Sequence, residues 1–68
     1  MSTAKVKEIT GMSPTGFDDA IKSGIARANK TLGNIKSAWV ENQQIMLDDN
    51  GQINEYRVQL MITYMFEE

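Results

Sequence analysis

The residues with the richest chemistry fall on two segments, one around the chain's only tryptophan and one around an arginine. The segment NIKSAWVENQQ lacks helical spacing, and in a strand it places Ser37, Trp39 and Glu41 on one side. The segment EYRVQL places Arg57 and Gln59 on one side of a second strand. An indole, a carboxylate, a guanidinium and an amide on a shared surface can stack on a flat ligand and hold its polar groups. We therefore take these five residues as candidate ligand-binding residues.

Trp39 and Arg57 also have structural interpretations, as do two methionines of the second strand. Trp39 can seal a contact between subunits, and we prefer this reading to stacking on a ligand because large aromatic side chains are enriched at interfaces. For Arg57 we prefer an ion pair with Glu41 or Glu55 to the binding of an anion. Met61 and Met65 are better explained as adaptable packing at an assembly surface than as a redox or metal feature.

The composition argues against several classes of function. The chain has no histidine and no cysteine, so the side chains most used for proton transfer, zinc binding and thiol chemistry are absent. We expect a protein that is not an enzyme. Its net charge of −2 provides no basic surface for nucleic acid. The apolar runs are too short for a membrane span or a signal peptide, which predicts a cytoplasmic protein with no membrane partner.

The first half of the chain predicts a strand followed by a helix. The strand covers Lys5 to Thr10, and Ser13 followed by Pro14 is typical of a helix start. The helix should run to about Leu32, with Gly33 as the left-handed residue that closes it. One face of this helix carries an apolar stripe that consists of Phe17, Ile21, Ile25, Ala28 and Leu32. Small residues beside this stripe should let the helix lie close to a sheet.

The second half predicts a long β-hairpin. Its second strand alternates clearly, with one apolar face formed by Tyr56, Val58, Leu60, Ile62, Tyr64 and Phe66. The opposite face should be shared with Ser37, Trp39, Glu41, Gln43 and Ile45 of the preceding strand. Between the strands lies DDNG, in which Asn50 and Gly51 offer the positive φ angles of a tight turn.

The turn segment DDNGQIN also has a partial likeness to a calcium loop. Met46 and Arg57 stand where such a loop requires carboxylates, so the turn explains the segment better. Asp48 and Asp49 remain candidates for binding a hard cation where copies from several subunits converge on a symmetry axis.

No repeat, linker or low-complexity segment interrupts the sequence, which predicts a single domain over residues 1–68. A domain of this size has a small core. One helix covers only one face of a sheet built from such long strands, so the other face must meet water, a ligand or a second subunit. We expect function to reside on that second face.

Three motifs give the chain a resemblance to the dodecins. They are ITGMSPTGFDDAI, IARANKTLGNIK and the closing YRVQLMITYMF. The resemblance implies an α+β fold of order β-α-β-β, with a three-stranded antiparallel sheet partly wrapped around one helix. It also implies a homo-oligomer, a hollow dodecamer that binds or stores a small ligand or ion.

The resemblance argues against a flavin site of the usual kind. Flavin-binding dodecins stack the flavin, riboflavin or FMN, on a strand tryptophan beside a glutamine, and those positions fall on Ser37 and Arg57 in this chain. Trp39 lies two residues further along, roughly 7 Å away on the same face. The Tyr56-Arg57 pair looks closer to the non-flavin branch called calcium dodecins, which makes calcium or another ion a candidate ligand. The alternatives that stay open are a flavin store that uses Trp39 and a structural interaction module.

Overall fold

The computed structural model describes residues 2–67, which form three strands and one helix. Strand β1 spans Ser2–Ser13, helix α1 spans Phe17–Thr31, strand β2 spans Ile35–Leu47 and strand β3 spans Ile53–Glu67. The strands form one antiparallel sheet in the order β1-β3-β2. The predicted β-α-β-β architecture is confirmed, although β1 begins earlier and ends later than Lys5 and Thr10.

The core lies between α1 and one face of β3. Val58, Leu60 and Ile62 are fully buried, as the alternation of this strand predicts. Phe66, near the end of the strand, is 43% exposed and lies outside this core. The opposite face of β3 carries Glu55, Arg57, Gln59, Met61, Thr63 and Met65, and we call this side of the sheet the open face.

The helix packs on the sheet through its smallest side chains. Ala20, Gly24 and Ala28 are its buried residues, whereas Ile25, predicted to lie on the buried stripe, is 36% exposed. The cause is Gly11 on β1, where a Cβ atom would overlap the carbonyl oxygen of Ala20. The helix and β1 backbones therefore meet directly, and larger apolar side chains flank this contact instead of filling it.

The helix begins later than the sequence predicts. Its N-cap is Gly16, which makes no side-chain cap, because β1 continues to Ser13 and delays the turn. Ser13 is buried, and its Oγ accepts from the Thr15 N–H at 3.0 Å and donates to Asp19 Oδ2 at 2.7 Å. Ser13 thus ties the loop to the first helical turn without capping the helix, so the prediction of a Ser13-Pro14 start was wrong.

The helix ends as predicted. Leu32 donates its N–H to the carbonyl of Ala28 at 2.7 Å, and Gly33 donates to that of Asn29 at 3.0 Å. Gly33 has a φ of 69°, a left-handed conformation that glycine adopts without the steric cost of a Cβ. The chain can therefore leave the helix and enter β2 at once.

The hairpin turn differs from the expected two-residue type. Gly51 has a positive φ of 76°, whereas Asn50 does not have a positive φ. Asp48 donates its N–H to the Gln52 carbonyl at 2.9 Å, and its Oδ1 accepts from the N–H groups of Asn50 and Gln52, each at 2.9 Å. The carboxylate closes the loop, so a single left-handed residue is enough.

Within residues 2–67, helix α1 is not long and apolar enough to cross a membrane.

Candidate functional site

The open face is built from residues that pair across the three strands. Trp39 of β2 is the Cα partner of Met61 on β3, and Met61 is in turn the partner of Glu8 on β1. The next row joins Ser37, Thr63 and Val6 in the same way. Because paired residues on neighbouring strands lie on the same side of a sheet, these two rows share one surface.

A shift in register changes which β2 residues reach this surface. Val40 pairs with Leu60 and Asn42 pairs with Gln59, so Glu41 is an extra residue between the two pairs. One extra residue reverses the faces of the residues that follow it. Beyond the shift the open face therefore carries Asn42 and Gln44.

The prediction that Gln43 and Ile45 lie on the open face was wrong. Gln43 pairs with Val58 and Ile45 pairs with Tyr56, which both belong to the core face of β3. The polar run ENQQ contains no alternation of apolar and polar side chains that could reveal the extra residue.

A depression of about 560 Å³ lies where the two rows meet. Trp39 is 75% exposed at this place. We call this feature the Trp39 depression. Its lining consists of Val6, Ser37, Ala38, Trp39, Val40, Glu41, Met61 and Thr63. The lining combines an apolar surface with two hydroxyl groups and one carboxylate, which is the composition of a small-molecule site.

The structure brings together three of the five candidate residues. Ser37, Trp39 and Glu41 line the depression, while Arg57 and Gln59 are not among its lining residues. Gln59 pairs with Asn42 further along the sheet. Arg57 pairs with Gln44, and its Nε lies 2.6 Å from Glu55 Oε1. The ion-pair interpretation of Arg57 is therefore confirmed, with Glu55 as the partner.

Sequence reasoning missed Val6 as a lining residue. Val6 and Ile9 are three positions apart and so lie on opposite faces of β1, with Ile9 against the core and Val6 57% exposed. Strict alternation within β1, read from Ile9, would have placed Val6 on the open face.

Residues 2–67 of a single chain do not form a complete metal site. No group of three or more acidic, histidine or cysteine side chains comes together within this part of the chain. The Asp48 carboxylate already accepts two backbone N–H groups in the hairpin turn. Asp49 is exposed beside it. A calcium site that uses these aspartates would need further oxygen ligands.

The family model of the dodecins matches residues 3–67. The chain belongs to the dodecin family. A calcium dodecin of Mycobacterium tuberculosis is 34% identical over 64 residues, which are 94% of this chain and 89% of the relative. This relative agrees with the resemblance to the calcium-dodecin branch.

Solved dodecin structures share the fold over nearly the whole chain. The dodecin from Streptomyces davaonensis superposes with a TM-score of 0.92 at 37% identity, covering 98% of this chain and 97% of the other. The crystal structure of the M. tuberculosis calcium dodecin, described as having a novel calcium-binding site, superposes with a TM-score of 0.84 at 31% identity. That match covers 96% of this chain and 91% of the calcium dodecin.

Proposed function

We propose that this member of the dodecin family is a non-enzymatic, cytoplasmic homo-dodecamer that binds and stores a small ligand or ion. The observation that supports this proposal is that helix α1 covers one face of the sheet and leaves the other face exposed. One face is buried under α1, while the other holds a 75% exposed tryptophan at a depression of about 560 Å³. Assembly would cover such a face and would make the stability of a subunit depend on its neighbours.

The residues favour a ligand other than a flavin bound in the usual way. Ser37 and Arg57 occupy the positions where flavin-binding dodecins have tryptophan and glutamine. Ser37 offers no ring for stacking, and the guanidinium of Arg57 is already paired with Glu55. The family relationship to a calcium dodecin supports an ion as one stored species, held by carboxylates such as Asp48 and Asp49 from several subunits.

Titration of the purified oligomer tests the ligand class. We expect riboflavin and FMN to cause little quenching of flavin fluorescence at low micromolar concentration. We expect native mass spectrometry to show a retained organic ligand or calcium. A yellow protein that strongly quenches added flavin would instead establish a flavin store.

Replacement of Trp39 separates a ligand site from a subunit contact. Because Trp39 is exposed at the depression, we expect Trp39→Ala to leave the oligomer intact. It should weaken ligand binding about fivefold or more, since stacking on an indole contributes about 1 kcal/mol beyond burial. Size-exclusion chromatography with light scattering measures the oligomer, and calorimetry measures binding. Arg57→Ala is the control, since it removes a large open-face side chain outside the depression. Loss of the oligomer in Trp39→Ala would show that the tryptophan cements subunits, as an interaction module requires.

A further inference from the structure

The charged side chains at and beside the Trp39 depression are carboxylates. Glu41 is the one charged residue among its lining residues, and Ser37 and Thr63, which are Cα partners, supply the hydroxyl groups. Glu8 lies in the same row as Trp39, two strands away on the same face. Carboxylates are thus the charged groups that a ligand on the indole would meet first.

The lysine and arginine side chains of the neighbouring positions do not line the Trp39 depression. Lys5 and Lys7 pair with Tyr64 and Ile62 on the core face, and the Lys5 Nζ lies 4.6 Å from the centre of the Phe66 ring. Lys36 is the extra residue of the first register shift in β2 and is not among the lining residues. Arg57 is held by Glu55. The described part of the chain therefore places no lysine or arginine in the lining of the depression.

We propose that the Trp39 depression binds a flat aromatic cation. An indole face attracts a cation through the quadrupole of its ring, and the effect grows as the pair is desolvated. Glu41 adds a direct charge partner, while the hydroxyls of Ser37 and Thr63 can accept hydrogen bonds from N–H groups at the ligand edge. A ligand with a phosphate group would bring a negative charge beside Glu41 with no lining cation to offset it.

This inference rests on the proposed function and narrows it to one class of ligand. The volume of about 560 Å³ falls within the usual range for small-molecule sites. The three-ring acridine frame provides a series of one shape and three charges. N-methylacridinium is a cation, acridine is neutral in mildly alkaline buffer, and acridine-9-carboxylate is an anion.

Quenching of tryptophan fluorescence measures the three affinities directly, because Trp39 is the only tryptophan of the chain. We expect the cation to bind about tenfold more tightly than acridine, and the anion to bind most weakly. Raising the salt concentration from about 0.1 M to about 1 M should reduce this difference, because added ions screen exposed charges.

A matched pair of variants assigns the preference to one carboxylate. Glu41→Gln should bring the affinities of N-methylacridinium and acridine to within about threefold of each other, because the cation loses its charge partner. Asp18→Asn removes the same charge from the exposed first turn of α1 and should keep the tenfold preference. Equal binding of all three compounds by the wild-type protein would overturn the inference, as would an unchanged preference in Glu41→Gln.

Different experimental results would contradict the aromatic-cation inference and the proposed storage function. If the oligomer forms and retains another small molecule or calcium in native mass spectrometry, but binds no member of the acridine series, the aromatic-cation proposal is wrong and storage stands. If the protein neither assembles nor retains any ligand, the proposed function itself is wrong.

Discussion

Gly11→Ala is expected to lower the free energy of unfolding by about 3 kcal/mol, at the upper end of typical overpacking costs. The new Cβ would overlap the Ala20 carbonyl and lie 3.2 Å from the Gly24 Cα. Both obstacles are helix backbone, which cannot move aside like a flexible side chain, so α1 must lift away from β1. A chain of this length has a total stability of only about 3–10 kcal/mol, and the variant should unfold at a much lower urea concentration.

Two further glycines serve as controls for Gly11→Ala. A Cβ atom at Gly16 would meet no atom within 4 Å. Gly16→Ala should therefore lower the free energy of unfolding by at most about 1 kcal/mol, through its N-cap position. At Gly24 the Cβ would lie 2.8 Å from Leu60 Cδ1, which is a movable side-chain end, so an intermediate cost is expected. Urea unfolding of all variants at one protein concentration makes the comparison. Equal stability of Gly11→Ala and Gly16→Ala would contradict the direct backbone contact.

Leu60→Ala is expected to cost about 2–5 kcal/mol, the usual range for removing a fully buried leucine. Leu60 is completely buried at the centre of β3, where its loss leaves a cavity between the sheet and the helix. The same urea experiment measures the loss, with circular dichroism following the helix.

Ile25→Ala is the matched control for Leu60→Ala, because it tests whether Ile25 belongs to the buried core. Ile25 is 36% exposed and lies outside the buried cluster, so its replacement should cost about 1 kcal/mol or less, partly offset by the better helix propensity of alanine. If Ile25→Ala were as destabilising as Leu60→Ala, the helix would present to the sheet the larger apolar side chains that the sequence suggests.

The sequence predicted the fold well where a chemical pattern repeats. The alternation through Val58, Leu60 and Ile62 marked the buried face of β3 because each core position is filled by a large apolar side chain. Gly33 was predictable because few other residues adopt its conformation at the end of a helix. The buried face of the helix was harder to predict, since Ala20 and Gly24 carry little hydrophobic signal and the close contact depends on Gly11, far away in sequence.

The candidate site shows where a sequence pattern stops being informative. Ser37 and Trp39 precede the extra residue at Glu41, so simple alternation placed them on the correct face. Gln43 and Ile45 follow it and were assigned to the wrong face. A β-bulge depends on how two strands pair, and one polar residue in a polar run leaves no compositional mark. The depression could therefore be predicted only up to the point where the register shifts.

The mass of the particle in dilute buffer tests the proposed assembly most directly, because α1 covers one face of the sheet and the proposal gives the open face to neighbouring subunits. Size-exclusion chromatography with multi-angle light scattering should give twelve chains of 7.6 kDa, about 91 kDa. A folded, stable species of 7.6 kDa would contradict the account, since the open face would then need no cover.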